Sequence, residues 1–182
     1  MIDTGWCLFL SASSSVSVPA RFSWVDPDNA KADDSSAAVC TIDEDLVGPP
    51  WDSFSETLKL TDPDFPFAIG AAASYSVSYR IRRSASGGGH YIAAESIRPI
   101  VNGVIDGNNV ANRHAKWAAT LTEDFTGPWG IAWEKYMFNS NLGLAIEVHN
   151  EANDGVARVE AVWIRVEYTP ITVQANEMPQ YN

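Results

Sequence analysis

The residues best suited to ligand chemistry lie in Trp24-Val25-Asp26-Pro27-Asp28-Asn29-Ala30-Lys31-Ala32-Asp33-Asp34, where four aspartates and an asparagine fall within nine positions. Asp26 and Asp28 have the i, i+2 spacing with which a helix-flanked loop starts to wrap calcium in hard oxygen ligands. Such a loop then needs a third oxygen ligand, a glycine and a distant glutamate. Counting from Asp26, this chain supplies Ala30, Lys31 and Ala37 instead. Two readings remain: a calcium site assembled from separate loops, or a proline-aspartate turn leaving a strand that ends at Trp24.

The other reactive residue types are scattered. His90, His114 and His149 form no H-E-x-x-H or i, i+4 pair, and no G-x-S-x-G nucleophile elbow occurs. Ser84-Ala85-Ser86-Gly87-Gly88-Gly89 reads as a hairpin loop, without the spacing, following helix or lysine of a phosphate cradle. The carboxylates Glu123-Asp124 and Asp43-Glu44-Asp45 could serve as acid and base only if two of them faced each other across a cleft. Neighbouring acids in turn-rich segments are more often solvated loop charges. Cys7 and Cys40 match neither a disulfide framework nor a zinc set and are read as reduced, near the core. The chain is therefore expected to be non-enzymatic, with no catalytic residue, metal or cofactor assigned.

The elements that would position these residues are strands. In Tyr75-Ser-Val77-Ser-Tyr79-Arg-Ile81, large apolar side chains alternate with polar ones, the signature of a strand with one wet face. The same period runs through Leu142-Gly-Leu144-Ala-Ile146-Glu-Val148, and through Val162, Ile164, Val166 and Tyr168. Weaker strands are expected at 16–24, at 37–42 with Ala37, Val39 and Thr41 on one face, and at 57–61, 65–69, 90–101 and 129–133. Turn pairs such as Asp26-Pro27, Asn102-Gly103, Asp106-Gly107 and Gly127-Pro128 separate them. Helix is confined to a stripe of Val110, Ala111, His114 and Trp117 and to one turn at 134–138. Many short strands divided by turns predict an all-β, antiparallel β-sandwich or jelly-roll-like single domain over 16–170. An N-terminal arm over 1–15 and a C-terminal tail over 171–182 flank it.

With 182 residues, 46% of them hydrophobic, the chain can bury one sizeable core. Its 12 basic and 23 acidic residues give a net charge of -11, which repels phosphate backbones and anionic lipid surfaces, so neither nucleic acid nor membrane is expected as a partner. Trp6 to Leu10 is too short, and lacks the basic start, for a secretory leader. No apolar run approaches the roughly 18 residues of a membrane-spanning helix, so a soluble domain is expected. Seven tryptophans are many for this length. Trp24, Trp129, Trp133 and Trp163 are read mainly as filling between sheets, and Trp51, beside Pro49-Pro50, as an exposed ring.

Several segments, in order, resemble small β-sandwich structural proteins of tailed bacteriophages. "WVDPDNAKADDSSAAV" (24–39) resembles their W-x-N-P-x-N-A-x-A-x-D-x-x-Y-A-T-A segment, and "LKLTDPDFPFAIGAAASYSVSYRIRRSAS" (58–86) is similar to their L-K-x-T-x-F-x-F-x-I-P-x-G-A-x-I-x-G-I-x-V-x-I-x-R strand pair. "PWGIAW" (128–133), "NSNLGLAIEV" (139–148) and "VEAVWIRVEYTP" (159–170) resemble the W-G-x-x-W, N-S-x-x-F-G-V-x-I and closing V-D-x-I-x-I-x-V-x-Y segments. Asp26 stands where asparagine is usual, and "IGAAAS" lacks the usual proline and glycine. The resemblance implies a virion structural component, with no catalytic residues to carry over.

From these observations the expected function is a capsid decoration or cement protein on the outer surface of a phage head. Its expected partners are the major capsid protein, other virion subunits or further copies of itself. Trp6, Leu8, Phe9 and Leu10 are the expected anchoring strand, added either to a neighbour's edge or to the chain's own sheet, and Trp51 is a further expected contact. The alternative is a receptor- or glycan-binding module of a tail appendage.

Overall fold

The computed structural model describes residues 1–15, 22–43, 53–87, 92–151 and 154–171. Among them are eleven strands: β1 (Ile2–Asp3), β2 (Cys7–Ser15), β3 (Ala38–Ile42), β4 (Ser53–Phe54), β5 (Thr57–Pro63), β6 (Ala72–Gly87), β7 (Ile92–Val101), β8 (Val104–Ile105), β9 (Leu121–Phe125), β10 (Gly143–Asn150) and β11 (Gly155–Pro170). Every ladder between them is antiparallel. The first sheet runs β9-β6-β11, and the far edge of β11 is shared end to end by β3, the start of β2, and β1. The second runs β8-β7-β10-β5-β2, with β4 beside β10. The fold is an antiparallel, jelly-roll-like β-sandwich.

One strand belongs to both layers. Cys7 and Leu8 pair with Ile164 and Trp163 of β11, whereas Phe9 to Ser15 pair with β5. The separate arm expected over 1–15 is thus part of the sandwich, and of the two placements foreseen for it the strand takes the chain's own sheets. Two contacts explain why. Phe9 is buried in the core, which contributes about 1.5–3 kcal/mol that a detached arm would forgo. Upstream, Thr4 gives its N–H to the Val166 carbonyl, and its hydroxyl oxygen accepts the Val166 N–H.

The three alternating segments form long strands as expected. Val77, Tyr79 and Ile81 of β6 and, beside them in the same sheet, Val166, Ile164 and Val162 of β11 join Leu144, Ile146 and Val148 of β10 in one buried cluster. In β11 the positions that join the core cluster are odd up to Val159 and even from Val162, with Ala161 buried between them. The switch occurs at a bulge, where Val159 pairs with Arg83 and Ala161 with Arg82, leaving Glu160 as the extra residue. Tyr79 ties the layers together, donating its hydroxyl to the Gly143 carbonyl at 2.9 Å and meeting Trp129 edge-on at 5.1 Å between ring centroids. Trp129 in turn donates its indole N–H to the Val77 carbonyl.

Elsewhere the weaker expectations need correction. β3 buries Ala38, Cys40 and Ile42 rather than Ala37, Val39 and Thr41, one residue out of phase. Residues 65–69 are a loop, since Pro63 and Pro66 deny the ladder two N–H groups, and Phe67 is left 41% exposed. Residues 129–133 are irregular because Gly127 and Gly130 take positive φ angles on either side of Trp129. No helix forms at 110–117. That segment is laced to β7 by Val110 N–H to the Ile97 carbonyl and Trp117 N–H to the Ile92 carbonyl, and the apolar stripe reflects Trp117 plugging the open edge of the sandwich. At 134–138 the expected single turn is a 3-10 turn, Lys135–Met137, and the supposed hairpin loop at 84–89 is strand as far as Gly87. The expected strand at 16–24 falls partly, and the tail at 172–182 wholly, outside the described residues.

Gly143 sits where the sheet tolerates no side chain, because a Cβ there would lie 1.9 Å from the Leu60 carbonyl oxygen. Gly143→Ala is expected to lower stability by about 3 kcal/mol or more, since β10 and β5 must part. Gly103→Ala, at φ +82 with open space around it, should cost only about 1 kcal/mol. Urea unfolding midpoints measure both, and equal shifts would contradict this packing.

Candidate interaction face

The outer face of the first sheet collects side chains that the alternation of β6 and β11 turns away from the core. Arg80 and Arg82 of β6 project there, as do Arg158, Trp163, Arg165 and Glu167 of β11. Cross-strand register then adds Leu8 opposite Trp163, Asp3 opposite Glu167 and Asp124 opposite Arg80. The Arg80 guanidinium lies 4.2 Å from the Trp6 ring centroid and forms a two-pronged pair with Asp124, at 2.6 and 2.8 Å. Arg165 grips Asp3 in the same way, at 2.9 and 2.6 Å, and reaches Glu167 at 3.0 Å. Arg82 bridges Asp33 at 2.8 Å and Glu160 at 2.9 Å, and Arg158 donates to the Ser86 hydroxyl. Trp6, Leu8 and Trp163 are half-buried among these arginines, so Trp163 is not the inter-sheet filler that its strand position suggested.

Of the residues expected to contact a partner, Trp6 and Leu8 belong to this face. Leu10 is 53% exposed just beyond it, with its carbonyl accepting a bond from Lys31. Phe9 does not join them, because the crossing strand turns it into the core. Trp51 lies outside the described residues. Sequence reasoning passed over the arginines. Their signal was the even-numbered Arg80 and Arg82 on the wet face of the clearest strand, which invited a reading of mere solvation.

The acidic stretch does structural work at this face. Asp26 takes a left-handed conformation, φ 50 and ψ 54, and opens a 3-10 turn over Pro27–Lys31 that buries Ala30. Asp28 pairs with Lys31, Asp33 with Arg82, and the Asp34 carboxylate accepts the Ser36 N–H. Asn29 donates to the Ala37 carbonyl, and Trp24 is buried with its indole N–H on the Glu56 carbonyl. Among the described residues, no group of three or more His, Cys, Asp or Glu side chains is arranged to hold a metal ion.

Among the described residues, the remaining reactive types do not converge. Glu123 and Asp124 point to opposite faces of β9, toward Arg83 and Arg80 respectively. Asp43 is described, but Glu44, Asp45 and His90 lie outside the described residues. His114 is exposed. His149 is fully buried, with Nδ1 3.4 Å from Glu95 and Nε2 3.3 Å from Glu151. Because the two carboxylates address different ring nitrogens, the trio cannot chelate one ion. Cys7 and Cys40 are buried and free. Burial, and then the nearby Glu56 charge, pushes the Cys40 thiol up to about 12, which keeps it protonated and a poor nucleophile.

Arg165, and then the Gly5 N–H, hold the Asp3 carboxyl below its usual range, and Arg80 does the same for Asp124. A carboxyl lowered in the folded state contributes stability that is complete above its unfolded value, about 3.9, and is lost as pH falls through the folded value. Both groups are exposed, so screening limits each contribution to a few tenths of a kcal/mol. Asp3→Asn and Asp124→Asn are each expected to flatten the loss of stability below about pH 4, measured as urea midpoints against pH. An unchanged acid limb in both variants would contradict the assignment.

No protein-family model matches the chain, and no curated protein matches it. A solved structure described as "CBM4 structure and function" aligns with a TM-score of 0.44 at 9% identity, covering 90% of this chain and 95% of that one. The alginate lyase AlgAT5 from Polysaccharide Lyase family 7 aligns with a TM-score of 0.36, also at 9% identity and over the same 90% and 95%. Likenesses this slight carry no argument about what this chain does.

Proposed function

We propose that the chain is a non-enzymatic structural protein of a bacteriophage virion, a decoration or cement protein that binds the outer surface of the head through the outer face of its first sheet. The observation that carries this reading is the Trp6, Arg80, Leu8 and Trp163 patch: aromatic rings and arginines are the residue types that dominate binding energy at protein interfaces. An arginine held by a partner carboxylate on its own chain can exchange that carboxylate for one on a neighbour without being left unpaired. The ordered resemblance to phage β-sandwich proteins supplies the particle. The partners are then the major capsid protein or other virion subunits, and symmetric repetition of a weak contact over the shell multiplies its effect.

A second reading, a receptor- or glycan-binding module of a tail appendage, is favoured by a different region. At the end of the sandwich where β6 and β10 begin, Phe65, Phe67, Phe138, Lys135 and Asn139 surround an open hollow of about 420 Å³, with Tyr136 exposed nearby.

Truncating the first twelve residues cannot test the first reading, because it removes β1 and much of β2. Point variants can. Trp6→Ala and Trp163→Ala are expected to retain the far-ultraviolet circular dichroism of the parent and to lose about thirtyfold or more in affinity for the particle, read from occupancy against protein concentration, the cost of a hot-spot side chain of about 2 kcal/mol. Electron microscopy of the particles with labelled protein measures this and places the protein on head or tail. Undiminished occupancy in both variants would overturn the proposed face. Loss of glycan binding on Phe67→Ala alone, with tail labelling, would establish the second reading.

A further inference from the structure

Away from the outer face, β9 of the first sheet faces β7 of the second, and the 110–117 segment closes the gap between them. A cavity of about 40 Å³ lies there between the layers. Ala94, Ile97, Val110 and Trp117 give it apolar walls, Arg83 and Glu123 give it a charged end, and the neutral amide of Asn112 also borders it. Arg83 is an unusual residue for this position. It stands on the inward face of β6, its side chain only 5% exposed, with its guanidinium 4.9 Å from the Trp117 ring centroid. One terminal nitrogen, Nη2, donates to the Glu123 carboxylate. The Nε–H is buried and meets no acceptor among the described residues. A donor on a permanently charged group, shielded from solvent, strongly favours gaining an acceptor.

We propose that this cavity is a binding site for a small neutral alcohol. Charge decides the class. Arg83 and Glu123 already neutralise each other, so an anion brought to Nε would approach the Glu123 carboxylate, and a cation brought to Glu123 would approach the guanidinium. A hydroxyl satisfies both, accepting from Arg83 Nε and donating to a Glu123 oxygen. The apolar walls then take an alkyl group on its far side, in the common arrangement of small-molecule sites with an apolar lining and few polar groups. Size sets the limit. One water needs about 10–15 Å³ of such volume, so the cavity holds an occupant of about three heavy atoms, the size of ethanol. This site owes nothing to the outer face and stands or falls independently of it.

The test uses the full chain and three probes of similar size: ethanol, acetate and methylammonium. Amide and side-chain ¹H–¹⁵N spectra follow the Arg83 Nε–Hε and Trp117 indole resonances. Ethanol is expected to shift both saturably, with a dissociation constant in the millimolar range set by so few heavy atoms, and the two ions to bind at least tenfold more weakly. Ala94→Ile, which fills the cavity from the β7 side, should abolish the ethanol response while the remaining spectrum is retained. The wild-type titration decides the matter even where that variant fails to fold. Two results would overturn the proposal: acetate or methylammonium binding as well as ethanol, or no saturable shift with ethanol. A cross-peak between Arg83 Nε–Hε and water that ethanol leaves unchanged would identify water as the sole occupant and equally overturn it.

Discussion

Along β11, one hydrogen-bonding edge is taken by β6 from Gly87 back to Ala72, and the other is divided among β3, the start of β2, and β1. A strand paired on both edges presents no free backbone to solvent, and its side chains are forced into two sets, one toward the second sheet and one away from it. The rest of the molecule follows from this division. The inward set, from Ala157 to Tyr168, is the floor of the core. The outward set is the arginine and tryptophan face. The Glu160 bulge lets a single strand serve both ends of the sheet, because it resets the phase by one residue and hands Glu160 to Arg82 and Ser84.

The two layers are joined by chain as well as by packing. β2 leaves β11 at Leu8 and continues beside β5 from Phe9, so the N-terminal residues belong to both sheets. Between the layers, Tyr79 satisfies its buried hydroxyl on the Gly143 carbonyl, where the absence of a side chain lets β10 and β5 approach. Burial keeps that phenol protonated, which suits a permanent donor. The outer face of the first sheet is therefore backed by a packed core, and such backing limits the ordering cost of the proposed association.

Arginine plays opposite parts on the two faces of β6. Outward, Arg80 and Arg82 sit in wet ion pairs that exchange easily and contribute little to stability. One residue further on, Arg83 continues the odd-numbered inward positions of β6 and is buried against Trp117 with Glu123. The same residue type thus lines an exposed face with ion pairs on one side and walls a polar cavity on the other.

The period-two segments of β6, β10 and β11 were legible because alternation is a local property: the side chain that faces the core is set by position along the strand. For the same reason, the wet positions Arg80 and Arg82 could be recognised as outward-facing. By itself the sequence determined an all-β sandwich, its long strands, its turn pairs and the failure of the acidic stretch as a helix-flanked calcium loop. Only the tertiary structure decided the phase of β3, the fate of 65–69 and 129–133, the capture of Phe9 by the chain's own core, and the meeting of Trp6 with Arg80 and of Arg83 with Trp117. Those outcomes depend on which backbone groups find partners and which side chains meet across tens of residues, and no local pattern records contacts made at that distance.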